Sequence, residues 1–100
     1  MFTAKELSAA IVIWTGWGFA PRPQRNETRL VEFFGAEAAI ALIPHLRQLE
    51  DDFYLSKAFN TAGTLVEMGD VGAADFRAKH PEIGGDAVEA LAWCYTFDYK

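Results

Sequence analysis

Apolar side chains in this sequence recur at intervals of three and four residues, and no stretch shows sustained alternation of apolar and polar residues. This spacing places the apolar residues on one face of an α-helix, whereas a half-buried strand requires a two-residue repeat. The clearest example is the stripe formed by Leu42, Leu46, Leu49 and Phe53. The sequence therefore predicts an all-α protein whose helices are separated by glycine and proline.

The first predicted helix has a well-marked start and end. Thr3 and Glu6 have the spacing of a capping box, and Gly16 is typical of a residue that ends a helix. Apolar residues occur nearly all round this helix, which is typical of a central, buried helix. A short second helix is predicted between Asn26, a favourable N-cap, and Gly35.

The next stretch predicts a long helix with a proline inside its apolar pattern. Pro44 either kinks one helix or occupies the first turn of a new one, where proline is tolerated. We expect the pattern to continue through Phe59 and to stop at Gly63.

The segment GTLVEMGD, residues 63–70, is ambiguous. Thr64 and Glu67 repeat the capping-box spacing, but Gly69 cuts the expected helix to about one turn, so a turn or a short 3₁₀ segment is an equal prediction. Asp70 then caps the next helix, and the last helix begins at Asp86. A strand in this segment would make the protein α+β instead of all-α.

A chain of 100 residues, 51% of them apolar, is long enough to bury a core of its own. We find no internal repeat and no linker long enough to separate two domains. We therefore expect residues 1–100 to form a single compact domain of about five helices around the buried first helix, with Trp14 in the core.

The net charge of −5 is concentrated in the second half of the chain. Residues 1–50 carry five basic and five acidic side chains, whereas residues 51–100 carry four basic and nine acidic ones. Because acidic surfaces repel phosphate backbones, we expect no nucleic-acid partner, and instead a protein with a basic surface. No apolar run approaches the roughly 20 residues of a membrane-spanning helix, so we expect no membrane partner.

Cys94 is the single cysteine, and its position in an apolar, aromatic helix predicts a small buried residue instead of a reactive thiol. A chain that cannot form an internal disulfide is typical of a reducing compartment, which favours a cytoplasmic protein.

The sequence gives little support for catalysis or metal binding. His45, His80 and Cys94 lack the paired short spacings of zinc ligands. The chain has no nucleophile-elbow motif, and no glycine-rich loop leads from a strand into a helix. We therefore expect no enzymatic activity, no metal and no cofactor.

The first candidate binding segment is WTGWGFAPRPQR, residues 14–25. Tryptophan and arginine are enriched in interface hot spots, and together they can also stack on a planar ligand and hold its anionic group. The candidate binding residues of this segment are Trp17, Phe19, Arg22 and Arg25.

The second candidate segment is the acidic run Glu50, Asp51 and Asp52. Successive residues on a helix are separated by about 100°, so these carboxylates make a poor chelate. They are interpreted either as a solvated face or as a surface that recognises a basic partner.

Three functional hypotheses follow. The first is a small non-enzymatic protein-binding module, for example an immunity- or antitoxin-like inhibitor of a basic partner. The second is a helical domain that binds a small molecule in a pocket of aromatic and arginine side chains. The third is a self-associating structural subunit that forms a symmetric homodimer.

Overall fold

The computed structural model describes residues 2–55 and 63–98, and every regular secondary-structure element within these ranges is an α-helix. This confirms the all-α, single-domain prediction, and a strand in segment 63–70 is wrong because that segment leads into a helix. The helices in the described ranges are α1 (Ala4–Thr15), α2 (Glu27–Phe34), α3 (Ala36–Tyr54), α4 (Leu65–Lys79) and α5 (Gly85–Asp98).

The predicted ends of α1 and α2 are confirmed. The Thr3 hydroxyl accepts a hydrogen bond from the Glu6 backbone N–H, and the Glu6 carboxylate accepts one from the Thr3 backbone N–H. Gly16 ends α1 with φ of 87°, a left-handed conformation that residues with a Cβ rarely adopt. Asn26 caps α2 through its side-chain oxygen, and Gly35 follows the last residue of that helix.

Helix α3 runs without interruption through Pro44. Pro44 has no N–H to donate to the carbonyl of Ile40, but both residues are exposed, so water can satisfy that carbonyl. The helix ends at Tyr54, with Leu55 as its C-cap, and does not reach Phe59 as a continuous helix. Phe59 itself lies outside the described residues.

Helix α4 corrects the prediction for residues 63–79. The Thr64 hydroxyl accepts a hydrogen bond from the Glu67 N–H and caps a single helix that continues through Gly69, so Asp70 is an internal residue and not a cap. Gly69 lies inside the helix and is buried against α5, where a Cβ would lie 2.9 Å from Thr96 Cγ2. Gly72 is also buried, and a Cβ there would lie 2.9 Å from Phe53 Cε1. Close packing of helices explains these two glycines.

Helix α1 contacts α2, α3 and α5, whereas α3 contacts all four of the other helices named above and is the more central of the two. The buried apolar residues of α1, Ala10, Ile11 and Trp14, belong to one core cluster shared with the other helices. Helices α4 and α5, joined by a short connection at residues 80–84, also pack on each other. Within the described ranges, no helix combines the length and the apolar character that a membrane crossing requires.

Candidate functional site

The segment WTGWGFAPRPQR leaves the end of α1 and divides between the core and the surface. Trp14 is buried in the core, as predicted. Trp17 is half-buried and packs edge-to-face on Trp93 of α5, with 5.5 Å between ring centroids. Phe19 is 59% exposed. The segment therefore contributes both a core anchor and a surface aromatic.

Arg29 of α2 holds this segment in place. Its guanidinium donates hydrogen bonds to the carbonyls of Ile13, Trp14 and Gln24, at 2.8, 3.0 and 2.5 Å. The guanidinium also lies 5.3 Å from the centroid of the Phe19 ring, in cation–π geometry. Sequence reasoning missed Arg29. The available signal was that the last turn of α1 has no basic residue of its own to satisfy its carbonyls.

Arg25, one of the predicted binding residues, lies inside a network of polar contacts. It donates hydrogen bonds to Glu50 at 2.7 Å, to the Tyr54 hydroxyl at 3.0 Å and to Asp98 at 3.1 Å. The Tyr54 hydroxyl donates in turn to Asp98. Two predicted site residues, Arg25 and Glu50, therefore bind each other and connect the loop to α3 and α5.

Burial and charge act together on this network. Burial by itself lowers the pKa of Arg25, but interactions with Cys94, Glu50 and Asp98 outweigh it and raise that pKa above its ordinary value. Burial, followed by the hydrogen bond to Asp98, raises the pKa of the Tyr54 hydroxyl. Arg25 therefore stays charged and Tyr54 stays neutral at neutral pH.

The acidic run of α3 is divided among different surroundings. Glu50 contacts Arg25, while the Asp52 carboxylate lies 2.8 Å from the ring nitrogen Nε2 of His80, the C-cap of α4. Asp51, between them, is exposed. The three carboxylates therefore do not form one solvent-facing patch. Of the remaining predicted residues, Arg22 is exposed on the loop.

A mainly apolar concave surface, a groove of about 420 Å³, lies between α4 and α5. We call it the α4–α5 groove. Its lining is mainly apolar, and both of its ionisable lining residues are acidic. The lining residues are Trp17, Leu65, Val66, Gly69, Asp70, Ala73, Glu89, Ala92, Trp93, Thr96 and Phe97.

A second concave surface adjoins the α4–α5 groove. Trp17 and Trp93 line both, and the second is completed by Gly18, Phe19, Ala20 and Pro21. Two of the predicted site residues, Trp17 and Phe19, therefore lie on one continuous surface with the α4–α5 groove. Sequence reasoning did not identify the α4 side of this surface, because it expected no continuous helix there.

The Cys94 thiol and the possible metal ligands bear on whether this fold can hold a reactive nucleophile or a metal ion. Cys94 is buried, and burial raises the pKa of its thiol to about 12. A neutral thiol at that depth is a poor nucleophile. In the part of the chain that the structure describes, no three His, Cys, Asp or Glu side chains are grouped so that they could hold a metal ion.

Comparison of the chain with known protein families, with curated proteins and with solved structures found no match.

Proposed function

We propose that this chain is a small, non-enzymatic protein-binding module, and that the α4–α5 groove docks a segment of its partner that carries apolar and basic side chains. The observation that carries the proposal is the composition of the groove. Its lining is mainly apolar, and its ionisable residues, Asp70 and Glu89, are both acidic. An apolar surface with carboxylates at its rim is complementary to a segment of that chemistry.

The apolar part of the groove supports binding because large side chains remain in contact with solvent there. Val66 is 73% exposed, and Leu65 and Phe97 are about two-fifths exposed. Single exposed apolar residues are ordinary, but these three lie on the same concave surface as two tryptophans. Covering them with a partner removes apolar area from water and so favours association.

The charge of this half of the molecule supports a basic partner. Residues 65–98 carry seven carboxylates and two basic side chains. The exposed Glu89 carboxylate accepts a hydrogen bond from Arg77 at 3.4 Å, and a surface pair of this kind contributes little stability. A basic side chain of the partner can therefore replace Arg77 at little cost.

Charge also distinguishes a different partner from a second copy of this chain. A symmetric dimer through the groove would bring two acidic rims near each other, and like charges at an interface are unfavourable. The small-molecule hypothesis receives less support, because Arg25 is engaged in the network with Glu50 and Asp98 and does not line the groove.

An inhibitor resembling immunity proteins or antitoxins is one form of this proposal, since such a protein covers a basic surface of its partner. We also propose a cytoplasmic location. The supporting observation is that Cys94 is buried and the chain has no second cysteine with which to form a disulfide.

The test is native mass spectrometry of the tagged protein, purified at low salt from its own host, with two matched double variants. The groove variant is Val66→Gln with Phe97→Gln. The control is Phe33→Gln with Ile40→Gln, which replaces two residues that are 68% and 71% exposed and do not line the groove. We expect the wild type and the control to retain a partner protein, and the groove variant to bind it at least about tenfold more weakly.

Equal loss of the partner in both variants, or its full retention by the groove variant, would contradict the proposal. A wild-type dimer that the groove variant abolishes would assign the groove to a second copy. A small added mass that depends on the groove residues would favour the small-molecule hypothesis.

The electrostatic part is tested by a second matched pair. Asp70→Asn removes a charge from the groove, whereas Asp51→Asn removes one from an exposed position of α3. We expect Asp70→Asn to weaken binding about two- to fivefold at low salt and to reduce its salt dependence, and Asp51→Asn to change neither. The opposite result would locate the partner at the acidic run of α3.

A further inference from the structure

We infer that the segment held in the α4–α5 groove is an amphipathic, basic helix of about two turns, lying along α4 and α5 as a third helix. This inference rests on the proposed function and adds the conformation, the length and the residue pattern of the partner segment. Three features of the groove support it, namely the spacing of the lining residues, the small size of the residues at the floor and the order of charges along the groove.

The lining residues follow helical spacing on both walls. On α4 they lie at positions 65, 66, 69, 70 and 73, and on α5 at positions 89, 92, 93, 96 and 97. Each set spans eight residue steps at intervals of three and four, which at 1.5 Å per residue is about 12 Å. The groove therefore follows both helix axes for a little more than two turns, a length that a partner helix of seven to nine residues fills.

The floor of the groove consists of small residues. Gly69 and Ala73 are buried and Ala92 is half-buried, and a Cβ on Gly69 would lie 2.9 Å from Thr96 Cγ2 of α5. Larger side chains, those of Trp17, Trp93, Val66 and Phe97, form the sides. A floor of small residues between large ones admits the ridge of side chains that a helix presents at i, i+3, i+4 and i+7.

The two walls are helices whose backbone groups are already hydrogen-bonded along the helix. An extended peptide that binds by strand addition needs unpaired backbone groups at a sheet edge, which these walls do not offer. A helix satisfies its own backbone and needs only side-chain contacts, so it is the conformation that suits this surface.

Charge is distributed unevenly along the groove. Contacts between Gly69 and Thr96 and between Arg77 and Glu89 show that α4 and α5 run antiparallel. Leu65, Val66 and Phe97 therefore lie together at one end, and Glu89 lies toward the other. The partner helix accordingly places its largest apolar residue near Val66 and Phe97, and a lysine or arginine near Glu89.

The test is selection of binders from a displayed library of random 16-residue peptides on the full-length protein. Peptides are retained when they bind the wild type and the Phe33→Gln/Ile40→Gln control but bind Val66→Gln/Phe97→Gln at least tenfold more weakly. We expect these peptides to share apolar residues at i, i+3 or i+4, and i+7, with Lys or Arg at the remaining positions. Synthetic copies should gain helical circular dichroism on binding, and a central proline should weaken binding at least tenfold.

The outcomes separate the two proposals. Groove-dependent peptides that are proline-rich, extended or acidic would overturn the helical inference while leaving the groove as a binding site. Failure to select any groove-dependent peptide would overturn both. A basic helical motif among peptides that bind the groove variant equally well would also count against both, because it would show attraction to the acidic surface in general.

Discussion

Replacing Gly72 by alanine tests whether α4 is shaped by packing or by helix propensity. In an exposed helix interior this change stabilises a protein by about 1 kcal/mol, because glycine has the greater freedom to lose on folding. At position 72 the new Cβ would lie 2.9 Å from Cε1 and 3.3 Å from Cζ of the fully buried Phe53 ring. Overpacking of this kind costs about 1–3 kcal/mol.

We therefore expect Gly72→Ala to lower the free energy of unfolding by about 1 kcal/mol, from an overpacking cost of about 2 kcal/mol against a propensity gain of about 1 kcal/mol. For a domain of this size, that is a fall in Tm of about 4–8 °C. The assay is urea unfolding followed by circular dichroism, with the midpoint compared at unchanged slope.

Two further variants make the test specific. Ala74→Gly, at an exposed position of the same helix, should also destabilise by about 1 kcal/mol, because only propensity acts there. In a Phe53→Leu background, which provides room for the methyl group, Gly72→Ala should become neutral or stabilising. A Gly72→Ala variant that is more stable than the wild type, or that costs the same in both backgrounds, would refute the packing argument.

Three other predictions concern the start of α4, the Arg25 network and Cys94. Thr64→Ala should lower the free energy of unfolding by about 1 kcal/mol through loss of the N-cap, as measured by urea unfolding, whereas Asp70→Ala should not. A larger loss of stability in Asp70→Ala than in Thr64→Ala would contradict the helix start at residue 65. Arg25→Met should lower the free energy of unfolding by about 1–3 kcal/mol, because carboxylates such as that of Glu50 lose their hydrogen-bond donor. An unchanged Tm would show that the network does not stabilise the fold. Burial raises the pKa of Cys94 to about 12, above the roughly 8.5 of an unfolded thiol. The contribution of the neutral Cys94 thiol to stability is therefore complete below about pH 8.5 and declines as pH rises toward 12. Maleimide labelling at neutral pH should therefore follow global unfolding, and rapid labelling of the folded chain would show that the thiol is accessible.

The helix ends were predictable from sequence where the deciding contacts are local. The Thr3–Glu6 capping box and the Asn26 cap connect residues two or three positions apart, so their pattern is visible in the chain itself. Gly69 shows the opposite case. Its role depends on Thr96, 27 positions away, and a glycine that permits close packing has the same letter as one that ends a helix.

The candidate site likewise has parts that the sequence indicates and parts that depend on contacts between distant residues. Sequence composition drew attention to the Trp17 segment, and Trp17 lines the groove, but composition did not reveal that Arg25 and Glu50 are each other's partners across 25 positions. The opposite wall, with Val66 and Asp70, carries no motif at all. It becomes a surface only when α4 is continuous and lies beside α5. Whether these residues bind a partner stays a prediction.

The packing of α1 against α5 has a consequence for the newly made chain. Roughly 70 residues separate Thr15 from Gly85, and at about 5–20 residues per second their synthesis takes roughly 4–14 s. During that interval α1 can pack on α2 and α3, but the face that meets α5 has no cover. We expect arrested nascent chains to be cleaved near α1 by added protease until α5 has left the ribosome. A chain terminated before α5 would therefore display an unprotected aliphatic helix, which makes it a ready substrate for chaperones and quality-control proteases.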